Sequence, residues 1–261
     1  MKKHVMPTLV IAACCLFIVS ACDDSAKDDR FTDDPTKPEE GTLLEDQATK
    51  WDFATLEGWE SANQGNDEII HHSIKSDVAD CTDGKALRIY TEADSQQRKK
   101  VRSRKQYGSG LYTWRTYISD LDEAKRVSIG SWLWHDDEHE LDFEVGSGTS
   151  EEREALQMGD DEVIAYITSQ AHFEVHQKVK IKKNEWHIFQ IDLKLVDDNY
   201  FATWLIDDVS CAAQQLSFGE DYPFYIFCSV ENLKFIGDTW PDKENDGLWD
   251  YVIYTPYAYS M

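Results

Sequence analysis

The stretch Glu140-Leu-Asp142-Phe-Glu144 carries a carboxylate at every second position. In a β-strand, alternate side chains point to the same face, so the three acids would form one row while Leu141 and Phe143 face the core. Like charges crowded on one face repel, so at least one of these carboxyl groups should have a raised pKa. A carboxylic acid beside a carboxylate is what a retaining glycosidase uses. Because the chain holds 50 Asp and Glu in 261 residues, the pattern also arises by chance, and its surroundings must decide.

Short β-branched and aromatic runs recur along the chain, separated by turn-forming residues such as 146–148, 197–199 and 207–208. Many short strands without alternating helices predict an all-β sandwich of two antiparallel sheets. Residues 151–160 fit either a short helix or an acidic loop. The predicted strands are 86–90, 110–118, 127–134, 140–145, 163–169, 186–193, 201–206, 222–230 and 248–254.

The N-terminus has the pattern of an export signal. Lys2 and Lys3 precede an apolar stretch, residues 9–19, that is shorter than a membrane span, and small residues then lead to Cys22. This predicts a bacterial lipoprotein signal peptide over residues 1–21, with Cys22 as the lipidated N-terminus after cleavage. An ordinary secretory signal is the alternative. We therefore expect an exported protein, lipid-anchored to a bacterial membrane at the cell envelope or surface.

The remainder divides into a tether and one domain. Residues 22–48 are acidic and polar with few large apolar side chains, so they predict a flexible tether. Residues 49–261 suit one large domain, and 9 Trp, 12 Tyr and 11 Phe in the chain are enough for a sizeable core. We expect this domain to be a monomer that the tether holds off the membrane.

Charge and cysteine content narrow the partners and cofactors. A formal net charge of −24 argues against nucleic acid and anionic surfaces, whereas a neutral polysaccharide feels no such repulsion. After the signal peptide and the lipidated Cys22, the remaining cysteines Cys81, Cys211 and Cys228 allow at most one disulfide. Cys228 lies in an apolar run and is expected to be a buried free thiol. No metal-type Cys or His spacing appears, so no cofactor is expected, although an accessory structural Ca²⁺ site stays open.

Two tryptophans precede the acidic row. Trp132 and Trp134 occupy alternate positions of the preceding predicted strand. Sugars present flat apolar faces, so a groove for an extended glycan needs aromatic platforms beside polar groups. We predict a substrate-binding role for both indoles; core packing is the alternative for each.

Segments on both sides of the acidic row occur in an order that a known family shares. The chain resembles glycoside hydrolase family 16, the laminarinase, lichenase and xyloglucan-enzyme group, over roughly residues 50–256. The segments that carry the resemblance are Tyr107 to Arg115, Gly130-Ser-Trp-Leu-Trp134, His139-Glu-Leu-Asp-Phe-Glu144, Glu185-Trp-His-Ile-Phe189, Trp204-Leu-Ile-Asp207 and Trp249-Asp-Tyr-Val-Ile-Tyr254.

The resemblance implies a concanavalin A-like jelly roll with a concave substrate groove and a hydrolase that cleaves inside a β-linked polysaccharide, a β-glucan first of all. It assigns Glu140 as nucleophile, Glu144 as general acid/base and Asp142 as the residue between them. His172 matches a substrate contact of the family more weakly. The chain departs from the family pattern after Glu144, where a single apolar residue precedes Gly146 instead of two.

Two other functions compete with hydrolysis. A carbohydrate-binding protein without catalytic activity could use the same groove. Alternatively, residues 136–138 and Glu140 could supply oxygen ligands to Ca²⁺ in a structural or adhesive module. The complete row of three acids favours the hydrolase over both.

Overall fold

Two antiparallel β-sheets pack on a shared core in the computed structural model, which describes residues 41–63, 72–170 and 175–259. In chain order its elements are β1 (Thr42–Leu43), β2 (Thr49–Trp51), β3 (Trp59–Ser61), β4 (His72–Ser76), β5 (Lys85–Thr91), β6 (Arg98–Ser103), β7 (Gly110–Ile118), β8 (Ser128–Asp136), β9 (His139–Gly146), α1 (Ser150–Ala155), β10 (Glu162–Gln170), β11 (Val175–Lys182), β12 (Glu185–Val196), β13 (Asn199–Ile206), β14 (Val209–Gln215), β15 (Tyr225–Glu231) and β16 (Asn245–Ala258).

Within these residues one sheet has nine strands and the other seven. The larger sheet runs β14-β13-β12-β7-β16-β5-β4, with β1 and β2 also paired to β16, and the smaller runs β11-β10-β9-β8-β15-β6-β3. Both the all-β class and the sandwich of two antiparallel sheets are thus confirmed, and each predicted strand overlaps an observed one. The jelly-roll assignment is confirmed with them.

The sequence pattern missed strands rich in basic residues. Arg98-Lys-Lys-Val-Arg-Ser103 forms β6, although four of its six positions are basic. These residues tolerate a sheet because carboxylates from neighbouring strands compensate them; Arg102, for example, pairs with Glu60 at 2.8 Å. The sequence pattern also missed β11, because this strand is rich in basic residues. Lys alternates with apolar residues along it, and it lies at the edge of the seven-stranded sheet.

The first strand of the sheet lies before residue 49, within the segment predicted as a tether. Thr42 and Leu43 pair with Ala258 and Tyr257 at the end of β16, and Leu44 N–H donates to Pro256 O at 2.9 Å. Backbone pairing with this long strand orders a segment whose composition alone indicated a tether. Residues 1–40, and with them the predicted signal peptide and Cys22, lie outside the described residues.

The ambiguous segment at 151–160 begins as helix α1. Thr149 caps it: its side chain accepts from Glu152 N–H while the Glu152 carboxylate accepts from Thr149 N–H, a reciprocal capping box. The sequence signal Thr-x-x-Glu was present. No helix among the described residues combines the length and apolar character that a membrane span needs.

The acidic strand β9 occupies the middle of the seven-stranded sheet, between β8 and β10. Leu141, Phe143 and Val145 belong to the core, and Phe143 packs against Phe189 of the opposite sheet with ring centroids 5.1 Å apart. The predicted burial of Leu141 and Phe143 is therefore confirmed. Since side chains alternate along a strand, the acids project from the other face of this sheet.

The three cysteines among the described residues are free thiols. Cys81, Cys211 and Cys228 form no disulfide among themselves, and Cys228 is fully buried, as predicted. Burial and the neighbouring Asp250 carboxylate raise the pKa of Cys81 to about 12, so its thiol stays protonated.

Candidate active site

The acidic row lines a cavity of about 1010 Å³ on the open face of the seven-stranded sheet. Strand register fixes the neighbours of each acid. Asp142 lies opposite Trp132 of β8 and Thr168 of β10, and Glu144 lies opposite Tyr166 of β10. The structure thus brings the three predicted acids together in one cavity.

Asp142 is the most enclosed of the three. It is 3% exposed, and Thr168 Oγ1 donates to its Oδ2 at 2.6 Å. Its buried Oδ1 has no hydrogen-bond partner among the described residues. Burial, followed by the charges of Glu140 and Glu144, raises the pKa of Asp142 well above its ordinary value. A proton on Oδ1 would remove the buried negative charge of Asp142 and give Oδ1 a hydrogen bond to make. Asp142 could share this proton with Glu140.

The pKa values of the two glutamates are raised to different extents. Burial and then the charges of Glu231 and Glu140 raise the pKa of Glu144 well above its ordinary value, and Ser128 Oγ donates to its Oε2. Burial also raises the pKa of Glu140, but its side-chain pairing with Asp142 and the Lys100 charge oppose the rise. Burial thus raises the pKa of both glutamates, and the contact with Asp142 opposes the rise at Glu140.

A buried ion-pair network borders Glu144. Glu231 is 1% exposed and accepts from Lys100 Nζ at 3.1 and 3.2 Å, and from Arg98. Glu231 lies opposite Ser128 in the sheet, and Ser128 in turn contacts Glu144. Sequence reasoning missed this network, because its basic members precede Glu231 by more than 130 positions.

The opposite wall of the cavity is also built from unpredicted residues. Tyr166 Oη donates to Glu152 Oε2 at 2.8 Å, and Lys178 Nζ donates to Glu152 Oε1 at 2.7 Å. Partial burial would raise the pKa of Glu152, but hydrogen bonds from Lys178 and Thr149 N–H lower it to about 2. Glu152 is thus a fixed carboxylate at the cavity wall.

The two predicted aromatic platforms lie next to the acidic row, but they are not among the residues that line the cavity. Trp132 is 5% exposed, stacks on Phe227 with centroids 3.9 Å apart, and donates through Nε1 to Ser229 Oγ at 3.0 Å. Trp134 is half-buried beside Tyr225, opposite Glu140. Both indoles share the face of the acids, and their substrate contacts stay predictions. His172 lies outside the described residues, so its role also stays a prediction.

Among the residues considered for Ca²⁺, Asp136 makes hydrogen bonds within its own turn. Asp136 Oδ1 accepts from Glu138 N–H at 3.0 Å and lies 2.6 Å from His139 Nδ1. Within the described ranges, no group of three or more His, Cys, Asp or Glu side chains is arranged to hold a metal ion.

Solved structures of glycoside hydrolases share this architecture. A family 16 glycoside hydrolase of a Bacteroides ovatus mixed-linkage glucan locus, solved with a G4G4G3G product, matches with a TM-score of 0.55 and 15% identity over 78% of this chain and 98% of its own. The chain has the fold of the family 16 glucanases. Bacillus licheniformis β-glucanase matches at 0.52 and 14% identity over 80% and 97% of the two chains.

The same fold also occurs with another named activity. A structure described as an endo-acting O-glycanase of human gut microbiota that initiates mucin breakdown matches at 0.55 and 11% identity, over 82% of this chain and 99% of its own. No family model and no curated protein sequence matches the chain. The resemblance read from the sequence is confirmed for the fold.

The burial of Asp142 predicts a pH-dependent gain in stability on neutralising it. Because its pKa is raised in the folded state, ionisation favours the unfolded chain increasingly as pH rises above the ordinary value near 4. Asp142→Asn keeps an acceptor for Thr168 and removes the charge. We expect the variant to exceed the wild type by about 1–2 kcal/mol at pH 7, with the gap closing near pH 4.

Urea unfolding from pH 4 to 8 measures this gap. Asp161→Asn is the control, and its stability should change in the opposite direction. Lys182 lowers the pKa of the exposed Asp161, so ionisation of Asp161 favours the folded state above pH 4. An Asp142→Asn protein no more stable than the wild type at pH 7 would contradict the assignment of a buried, protonated Asp142.

Proposed function

We propose that this chain is a divergent member of glycoside hydrolase family 16, an endo-acting retaining hydrolase of a β-linked polysaccharide, with β-glucan as the first expected substrate. The observation that carries the proposal is the geometry of the acidic row: three carboxyl groups project from one face of one strand into one cavity. Burial raises the pKa of Glu144, which favours the protonated form that an acid needs, and Glu140 lines the same cavity as the candidate nucleophile. The glucanase activity named for proteins of the same fold supports it.

In the first step, Glu140 attacks the anomeric carbon while Glu144 gives its proton to the glycosidic oxygen. The bond between that carbon and oxygen breaks, the leaving chain departs as an alcohol, and a glycosyl ester forms on Glu140. In the second step, the Glu144 carboxylate takes a proton from water, whose oxygen attacks the same carbon and releases Glu140. Asp142, holding a proton between them, would stabilise the negative charge on Glu140 before attack and after release.

The groove suits an extended neutral chain better than an anionic one, because carboxylates dominate the cavity wall. The proposal includes export of the protein and its attachment to a bacterial membrane through a lipid on Cys22. Incorporation of labelled fatty acid into the full chain, lost in Cys22→Ala, tests that placement.

The full chain incubated with a panel of β-glucans and β-galactans, with assay of reducing ends and product length, tests the activity. We expect a mixture of oligosaccharides from one β-glucan, as an endo-acting enzyme gives. Glycan binding without release of reducing ends would replace the hydrolase with the non-catalytic binding protein, and failure on every polymer would contradict the proposed substrate class.

The ion-pair network predicts a shifted pH profile. Glu231 raises the pKa of Glu144, and Lys100 lowers it. Glu231→Gln removes the first effect and leaves Lys100 without its carboxylate partner, so both changes lower the pKa of Glu144. Since Glu144 must be protonated to act as an acid, the basic limb of kcat/KM should move down by about one pH unit.

Glu244→Gln is the matched control, because Glu244 is half-exposed and pairs with Arg88 in the other sheet. Its pH profile should coincide with that of the wild type. A basic limb that stays in place or moves up in a folded Glu231→Gln protein would show that the network does not act on Glu144.

A further inference from the structure

Phe235 is an exposed aromatic side chain on a surface rich in charged residues. It is 60% exposed, and Val209 is the other large apolar side chain that the described part of the chain leaves exposed. Val209 lies at the start of β14, on an edge of the nine-stranded sheet. Phe235 instead lines the same cavity as Glu140 and Glu144. An exposed aromatic ring beside candidate catalytic acids indicates a ligand contact.

The backbone beneath Phe235 is anchored from its neighbour. Residues Lys234–Ile236 form a 3-10 turn, and Ile236 is fully buried against Ile164 and Tyr166 in a small apolar cluster apart from the main core. This cluster also includes the partly buried Leu156, Met158 and Leu233. The ring is therefore presented from a turn that the buried Ile236 anchors.

Gly146 makes room for that anchor. A Cβ at Gly146 would lie 2.5 Å from Ile236 Cγ1 and 2.8 Å from Val127 O, so no larger residue fits without displacing Ile236. Gly146 is the glycine that follows Glu144 after a single apolar residue, the departure from the family pattern noted in the sequence. In the structure, the departure places the glycine where the Phe235 turn docks.

A continuous wall joins Phe235 to the acidic row. Tyr166 lies opposite Glu144 in the sheet, and its ring meets Phe235 edge-on with centroids 6.4 Å apart. The hydrogen bond to Glu152 fixes the Tyr166 hydroxyl, and Lys178 Nζ lies 5.7 Å from the Tyr166 ring centroid. Two aromatic rings and the Glu152–Lys178 ion pair thus share this wall.

We propose that Phe235 is the aromatic platform of a glycan subsite, where it stacks on the apolar face of one pyranose ring of the bound chain. Glu152 and Lys178, paired beside it, are placed to hydrogen-bond the hydroxyl groups at that ring's edge. The mixture of one ring and a charged pair suits a sugar, which has a flat apolar face and a polar rim. This inference rests on the proposed function, since it takes the acid-lined cavity as the glycan groove.

Isothermal titration of the full chain with mixed-linkage β-glucan oligosaccharides of two to six sugars tests the subsite, with every protein carrying Glu140→Gln so that the oligosaccharides are not cleaved during the titration. We expect Phe235→Ala to weaken binding of the longest oligosaccharide about tenfold, Phe235→Trp to keep wild-type affinity, and Val209→Ala to bind as the wild type. Binding of the disaccharide should change less, because a short chain need not reach the subsite.

Hydrolysis of the same oligosaccharides, measured in parallel, distinguishes failure of the proposed subsite from failure of the proposed hydrolase activity. Wild-type affinity of Phe235→Ala for every length overturns the subsite and leaves the hydrolase intact. Binding that depends on Phe235 without hydrolysis by the wild type supports the subsite and contradicts the hydrolase. A wild-type chain that binds none of these oligosaccharides contradicts the subsite as stated. Matched melting temperatures show that each variant is folded.

Discussion

Glu140→Gln and Glu144→Gln will each lower kcat on the glycan that the wild type cleaves by at least about a hundredfold. Glutamine at 140 cannot form the glycosyl ester efficiently, and glutamine at 144 cannot donate a proton to the leaving oxygen. Both substitutions keep the size of the side chain, and the amide oxygen that Glu144→Gln introduces can still accept from Ser128. Reducing-end assays on purified, folded variants measure the loss.

The two roles can be told apart with azide and an activated aryl β-glycoside. In Glu140→Ala, azide takes the place of the missing nucleophile and attacks from its side, so an α-glycosyl azide forms. In Glu144→Ala, azide attacks the glycosyl ester on Glu140 from the opposite side, so the product is β.

Glu138→Gln is the matched control, since Glu138 lines the cavity outside the row. It should retain activity close to the wild type. Near-normal activity of either variant in the row would contradict the assignment.

Asp250→Ala should destabilise the fold by about 3–5 kcal/mol, the largest stability effect we expect from a single residue. Asp250 is fully buried; it accepts from Thr82 N–H and Thr82 Oγ1, each at 2.9 Å, and it pairs with Arg115. Asp250 lies at a bulge in β16. Trp249 and Val252 both face the core, whereas regular alternation would place them on opposite faces, so the strand holds one extra residue between them. Alanine would remove the carboxylate that Arg115 and Thr82 share and leave Arg115 with the Asp80 carbonyl oxygen as its remaining acceptor.

Urea unfolding measures this loss, with Asp122→Ala as the control. Asp122 pairs with Lys243 at 2.8 Å, but both side chains are more than a third exposed, so the cost there should be about 0–1 kcal/mol. Asp250 belongs to the nine-stranded sheet, so the folded fraction of Asp250→Ala should keep wild-type kcat. A loss below about 1 kcal/mol would show that the buried pair contributes little.

The sequence predicts well what depends on local periodicity. A repeat of two places Leu141 and Phe143 in the core and the acids on the other face, whatever the neighbouring strands are. It does not predict strands such as β6, because Arg98 and Lys100 look like a solvated surface until Glu231 is brought beside them by strand pairing. The capping signal at Thr149 and Glu152 was local and could have been found.

The sequence predicts the three acids of the candidate site but not the residues that surround them. Nothing local to Trp132 indicates that Phe227 covers one face of its ring, since the two residues meet only through the pairing of β8 with β15. Likewise, Phe235 is an ordinary residue in an irregular segment until Ile236 docks against Gly146. Contacts between distant segments decide which aromatic rings remain available to a ligand.

The anomeric form of the first product tests the double displacement most directly. Proton NMR, recorded during the first minutes after the full chain is mixed with mixed-linkage β-glucan, distinguishes the two anomers before mutarotation equilibrates them. Two successive displacements at one carbon restore its configuration, so we expect the β-anomer to appear first. Initial formation of the α-anomer would contradict the pairing of Glu140 as nucleophile with Glu144 as acid/base.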